Sequence, residues 1–170
     1  MMQPLPAYNF YIALAEAEAN FAAVGLSALS AVVLGGFSEA AGLDSEIQVE
    51  ERRAGGVNDR VYQFPGAASF PHLVLTRGMG FGEDLYLWHE QFLKGKGVRR
   101  HGMVFLADEN HLPIKAWKFE NGIPVKWSGP ALNAGSSALA IEKLEIAHER
   151  MGLVLSPGKA LSAAAENLGV

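Results

Sequence analysis

Two His-Glu pairs, His89-Glu90 and His148-Glu149, are the residues in this chain best suited to chemistry. Each opens like the helix of a zinc hydrolase, where a second histidine four residues on completes the ligand pair and the glutamate serves as base. Leu93 and Gly152 stand at those positions instead. His72, His101 and His111 share no ligand spacing. Gly78-Met79-Gly80-Phe81-Gly82 ahead of a helical pattern resembles a phosphate loop, but Glu83 occupies the third glycine position of the dinucleotide pattern and no Lys-Ser/Thr follows. Glu83 and Asp84 would also set carboxylates where a phosphate needs helix N–H groups. No serine sits in a nucleophile elbow, and the absence of cysteine excludes thiolate chemistry and disulfides. The expectation is a non-enzymatic chain with neither cofactor nor metal. A Glu/His site assembled from distant residues, as in a hydrolase, is one rival reading.

The charges that remain suit binding surfaces. Across 170 residues there are 14 Lys and Arg against 18 Asp and Glu, without the basic excess that nucleic-acid binding requires. Their order is uneven. No basic residue precedes Arg52, while Glu16, Glu18, Glu39, Asp44, Glu46, Glu50 and Glu51 give that stretch −7. Residues 52–170 hold 14 basic against 11 acidic groups, or +3. Solvated faces explain this most simply; a head-to-tail polymer pairing an acidic surface with a basic one is the sharper hypothesis. Lys94, Lys96, Arg99 and Arg100 form a basic cluster, read as a solvated turn or as a patch for an acidic partner. The uncharged run Phe21–Phe37 is shorter than the ~20 apolar residues of a membrane span and has no flanking Lys or Arg. No basic signal-peptide start is present, so the expectation is a soluble chain, cytoplasmic at synthesis, with no membrane anchor.

The elements carrying these residues read mostly as strands. Phe10–Leu14 alternates weakly, and Glu16–Ala31 is Ala-rich, a short helix or a packed loop. Glu46–Arg53 alternates Ile47 and Val49 with Gln48, Glu50 and Arg52, the pattern of a half-wet strand. Gly55-Gly56 and Asn58-Asp59 mark a turn. Val61–Phe64 and Phe70–Arg77 read as strands separated by Pro65-Gly66. Glu83–Lys94 is a helix with acids in its first turn, Leu85, Trp88 and Phe92 with the nearby Leu87 and Leu93 as its apolar stripe, and Gly95 as its stop. Met103–Ala107, a turn at Asp108–His111, Ile114–Phe119 and an alternation at Ile123, Val125 and Trp127 follow. Leu139–Glu149 fits a helix or a strand. Trp88, Trp117 and Trp127 are expected core anchors. Ser156-Pro157 would cap a short helix in a C-terminal tail, residues 153–170. The sum is a mainly β domain over 1–152, barrel or sandwich, with one flanking helix.

Several short signatures occur in fixed order: Gly36-Phe37-Ser38-Glu39-Ala40-Ala41-Gly42-Leu43, Glu51-Arg52-Arg53-Ala54-Gly55-Gly56-Val57-Asn58, Phe64-Pro65-Gly66 and Leu75-Thr76-Arg77-Gly78. Leu87-Trp88-His89, Lys126-Trp127-Ser128-Gly129-Pro130-Ala131-Leu132-Asn133-Ala134 and Ala140-Ile141-Glu142-Lys143-Leu144-Glu145-Ile146-Ala147-His148-Glu149 complete the set. Together they resemble the tail tube proteins of contractile phages and phage-tail-like injection systems, relatives of the type VI secretion tube protein. The resemblance covers roughly Phe10–Gly152. It implies a β-barrel-like fold with a flanking helix, homohexameric rings stacked into a hollow tube, and a contractile sheath around that tube. Baseplate and spike hub proteins are the further implied partners, with a cargo protein as a candidate occupant of the lumen. The particle would be a phage tail or a released, extracellular injection machine.

By the same resemblance, Glu51, Arg52, Arg53, Gly55, Gly56 and Asn58, with the segment from Phe21 to Gly35, become candidate contacts between subunits or rings. The basic cluster becomes a candidate partner-facing patch. An Ala-rich insertion at about 17–35 and the tail after Gly152 depart from short family members, which leaves open a main tube subunit or a first ring near the baseplate. A monomeric β-barrel carrier of a small apolar ligand is the alternative, and it would require a closed pocket.

Overall fold

The computed structural model describes residues 10–16, 33–34, 37–56, 59–80, 82–108, 113–135 and 137–155. The strands are β1 (Phe10–Glu16), β2 (Val33–Leu34), β3 (Phe37–Ala41), β4 (Glu46–Arg52), β5 (Tyr62–Ser69) and β6 (Leu73–Gly78). Helix α1 (Asp84–Leu93) precedes β7 (Arg100–Ala107), β8 (Pro113–Ser128), β9 (Ile141–Ala147) and β10 (Arg150–Leu155). All pairings are antiparallel. Among the described residues the fold is mainly β with one flanking helix, as the sequence pattern predicts.

The architecture turns on β8. At 16 residues it extends roughly 50 Å, longer than either sheet needs, and so it belongs to both. Its first part pairs with β7 and β10, and its last part, from Ile123, pairs with β9. One sheet therefore runs β2-β1-β7-β8 with β10 on the far side, and the other runs β8-β9-β6-β3. The crossing point sits at Asn121, whose φ of 53° is the left-handed conformation that asparagine tolerates best among non-glycine residues. There the Asn121 N–H donates to His101 Nδ1 (3.1 Å) and Nδ2 donates to Glu149 (2.7 Å). Sequence reading takes this strand as two pieces, Ile114–Phe119 and the alternation at Ile123, Val125 and Trp127, with Pro124 marking an edge or bend. The structure keeps it whole, since Pro124 falls at a register shift against β9 where no ladder donor is needed.

A second difference has the same cause. Pro65-Gly66 does not separate two strands but lies inside β5, in a two-stranded ribbon with β4 whose register shifts between Ile47 and Val49. Gly66 packs under the Gln48 carbonyl, where a Cβ would come within 3.1 Å. The ambiguous segment Leu139–Glu149 resolves as strand β9, which buries Glu142, Leu144 and Ile146 on one face. Strand β10 continues to Leu155, past residue 152. Of the segment Glu16–Ala31 only Glu16, the end of β1, is described; residues 109–112 of the β7–β8 turn and the capped helix after Ser156 also lie outside the described residues.

The core is filled by side chains. Trp88, Phe119, Ile12, Leu73, Leu75, Leu85, Leu144, Ile146 and Val104 are fully buried. Trp117 and Trp127 pack against this cluster from its margin. Helix α1 contributes Leu85 and Trp88 to the core and leans Phe92 on it. Leu87 and Leu93, expected in the stripe, are exposed instead. At 100° per residue they fall outside the arc that the sheet covers. Trp88 Nε1 donates to the Val98 carbonyl (2.9 Å) in the loop that follows the helix, and His89 Nδ1 meets the Pro124 carbonyl (3.0 Å), which pins the helix to β8.

Candidate functional site

The β4–β5 ribbon is the feature that the rest of the fold does not account for. Its strands pair with each other and, among the described residues, with no other strand. Every β4 residue is exposed, so the half-wet strand expected from its alternation is wet on both faces in the single chain. Ile47 (59% exposed), Val49, Tyr62 and Phe64 therefore present apolar surface to solvent. Such a flat ribbon with apolar side chains is a liability unless another surface covers it. Its root is tight. Gly42 adopts φ 94°, and a Cβ there would lie 2.1 Å from the His72 carbonyl oxygen, so only glycine lets the two root segments cross.

Of the candidate contacts, Glu51, Arg52, Arg53, Gly55 and Gly56 all occupy the exposed far end of this ribbon, and Asn58 lies outside the described residues. Arg52 pairs loosely with Glu50 (3.6 Å) and stacks over Phe64. Asp59 and Arg60 pair with each other. Arg53 lies beyond the last ladder pair, Arg52–Tyr62. The other candidate segment, Phe21 to Gly35, is described only at Val33 and Leu34, which form β2 at the sheet edge.

The basic cluster is largely spoken for. Lys94 pairs with Glu90 one turn back (2.9 Å), and Arg99 donates to Glu149 (2.6 Å). Arg100 is half-buried with its guanidinium 5.1 Å above the Trp88 ring. Lys96 is exposed after Gly95. The four residues are thus neighbours around the helix C-terminus, but they do not form four free cations.

The sequence signatures converge elsewhere, at the opposite end of β6 from the ribbon. Arg77 and Glu142 form an ion pair that is almost fully buried. Trp127 Nε1 donates to the second Glu142 oxygen (3.0 Å), and Arg77 also donates to the Gly82 carbonyl (2.9 Å). The Arg77 guanidinium lies over Phe37, while Ser38 and Thr76 tie β3 to β6 through the Thr76 carbonyl and the Glu39 carboxylate. Residues from four separate signatures meet here. They lock β3, β6, β8 and β9 around a satisfied charge rather than a reactive one. Beside this lock is an open cleft of about 420 Å³ lined by Met79, Gly80, Glu83, Tyr86 and Trp127, with Tyr86 edge-on to Trp127 at 4.9 Å. Nothing in the sequence pattern singled out Tyr86 or Glu83 as neighbours of Trp127.

The His-Glu pairs are occupied structurally. Glu90 holds Lys94, and Glu149 accepts from Arg99 and Asn121. His148 packs between the rings of Phe70 and Phe119. Burial holds its imidazole below the usual histidine range; the nearby His72 adds to this, and the main chains of Pro71 and Arg150 oppose it. Among the described residues no three His, Asp or Glu side chains converge as a metal site, and no described helix is long and apolar enough to cross a membrane.

Comparison with known proteins matches residues 6–152 to the family described as T4-like virus tail tube protein gp19. No curated protein matches the sequence. Among solved structures, a chain of the anti-feeding prophage (AFP) baseplate superimposes with TM-score 0.76 at 21% identity, over 92% of this chain and 99% of that one. A chain of the extended sheath–tube complex of PVC, an extracellular contractile injection system, gives TM-score 0.70 at 18% identity, over 89% and 92%. Mutant Hcp1 from the E. coli EAEC 042 pathovar gives 0.50 at 12%, over 89% and 94%.

Proposed function

This chain belongs to the T4-like virus tail tube protein family, and we propose that it builds the inner tube of a contractile phage tail or phage-tail-like injection machine as homohexameric rings that stack. The single observation that carries this reading is the ribbon. A ribbon of about seven residues a strand, reaching roughly 24 Å, projects apolar side chains that no other described strand or helix covers. In a ring stack a neighbouring subunit covers that surface, and edge strands such as β3 find partners across the ring. The likeness in fold to the AFP and PVC chains supports a sheath outside the tube and a baseplate beneath it as partners. Lys96 and the exposed flank of α1 around Leu87 and Leu93 are the surface offered to such a partner.

The chain's role is structural rather than catalytic: the buried charges are mutually neutralised, and His89, Glu90 and Glu149 are each engaged in hydrogen bonds or ion pairs within the fold. The described interior is filled by aromatic and aliphatic side chains, as a load-bearing wall requires and a ligand carrier does not. Light-scattering mass during size exclusion tests the reading. The expected species are sixfold multiples of the 18.2 kDa chain, falling to smaller ones after charge reversal at Arg52 and Arg53. A ligand-stabilised monomer with no larger species would turn the assignment to a binding barrel.

A further inference from the structure

Strand β6 places two unexplained features at opposite ends of one rod. The ribbon is rooted at its Leu73 end, since Ala41 of β3 pairs with Val74 and both connections to the ribbon leave there. The aromatic cleft opens at its Gly78 end, where Met79 and Gly80 follow directly. A projection at one end and a recess at the other is the arrangement of a heterologous, head-to-tail contact, which repeats without closing.

The chemistry of the two ends also matches. The exposed Glu83, which lines the cleft, has no ion-pair partner among the described residues, and its side chain makes no capping bond to the helix. Trp127 and the exposed Tyr86, edge-on to each other at 4.9 Å, line the cleft together with the exposed Met79. An aromatic pair with a carboxylate at its rim suits a guanidinium, which stacks on ring faces and presents a planar fork to the acid. At the ribbon tip, Arg53 is exposed, lies past the ladder and has no acid partner among the described residues, whereas Arg52 and Arg60 are engaged with Glu50 and Asp59. The inner carboxylate, Glu142, is already satisfied by Arg77 and Trp127 and is not available.

We infer that the cleft formed by Met79, Glu83, Tyr86 and Trp127 receives the ribbon tip of a second copy of this chain, with Arg53 stacked on the aromatic pair and joined to Glu83. This rests on the tube reading above and adds to it the receiving surface. Ribbon insertion covers Tyr86 and Trp127 in each successive copy, so one contact repeated along the axis both aligns the copies and shields exposed apolar area.

The absence of cysteine from the chain allows a direct test. The double variant Arg53→Cys/Glu83→Cys, oxidised in the assembled full-length protein, is expected to give a ladder of covalent oligomers on denaturing gels. Each single variant is expected to stop at dimers. In parallel, Arg53→Glu and Glu83→Arg are each expected to reduce pelletable polymer at least tenfold, and their combination to restore it to within threefold of wild type. Wild-type tubes with no ladder, and with single reversals that assemble normally, would overturn the docking and leave the tube reading intact. No polymer from the wild-type chain, together with no ladder from the double-cysteine variant, would overturn both. Folding of each variant is checked by its thermal midpoint, which exposed substitutions should leave nearly unchanged.

Discussion

Replacing Arg77 with methionine tests whether the buried lock organises the domain. Arg77 is 8% and Glu142 3% exposed, so the substitution strands a carboxylate away from water with only Trp127 Nε1 still donating to it. Breaking one side of a buried ion pair costs about 3–5 kcal/mol, because the partner charge is left uncompensated. The donation to the Gly82 carbonyl is lost as well, and is worth a smaller amount of about 1 kcal/mol. Against a typical stability of ~5–15 kcal/mol the loss is about a fifth or more. With a urea slope of ~2 kcal/mol/M, the unfolding midpoint should fall by about 1.5–2.5 M, read by circular dichroism on the unassembled chain. Adding Glu142→Leu should recover most of this, because it removes the stranded charge at the cost of about one hydrogen bond, that of Trp127. A single-variant cost under about 1 kcal/mol, or a double variant less stable than Arg77→Met alone, would refute the buried-charge explanation.

Further expectations follow from particular packing sites. A Cβ at Gly102 would fall 2.2 Å from Phe119 Cζ, so Gly102→Ala should overpack the core and cost about 1–3 kcal/mol in the same urea titration. His148 is held below its usual range by burial, so the unfolded chain binds its proton more readily and stability rises with pH. That contribution is complete above the unfolded pKa of about 6.5 and is lost as pH falls below it. Thermal midpoints measured from pH 7.5 to 5 should therefore drop for the native chain, and less steeply for His148→Phe. Paired substitution of Ile47 and Val49 by threonine should change single-chain stability by no more than about 0.5 kcal/mol while lowering assembled mass in light scattering, since both side chains are already solvated.

Much of the domain was legible because its signals are local. The helix announces itself by Glu83 and Asp84 at one end, Leu85, Trp88 and Phe92 on one face and Gly95 at the other end; the glycine adopts φ 71° as required. Positions where sequence and structure part company are those where tertiary context decides. Pro65 reads as a break and Pro124 as an edge or bend, yet register shifts accommodate both. Ile47 and Val49 alternate like a half-buried strand because alternation encodes a face to be covered, and it does not say which chain covers it. Arg77, Trp127 and Glu142 could be picked out as parts of separate signatures, but their convergence depends on three strands meeting in space. The ion pairs of the basic cluster depend on the fold in the same way. Glu90 lies near in sequence, while Glu149 reaches Arg99 only through the fold.

The measurement that tests the tube assignment most directly is electron microscopy of the purified full-length protein, alone and with its sheath and baseplate partners. The expected images are six-fold rings with an open centre, stacked into hollow tubes of constant diameter. Dispersed monomers under both conditions would contradict the assignment.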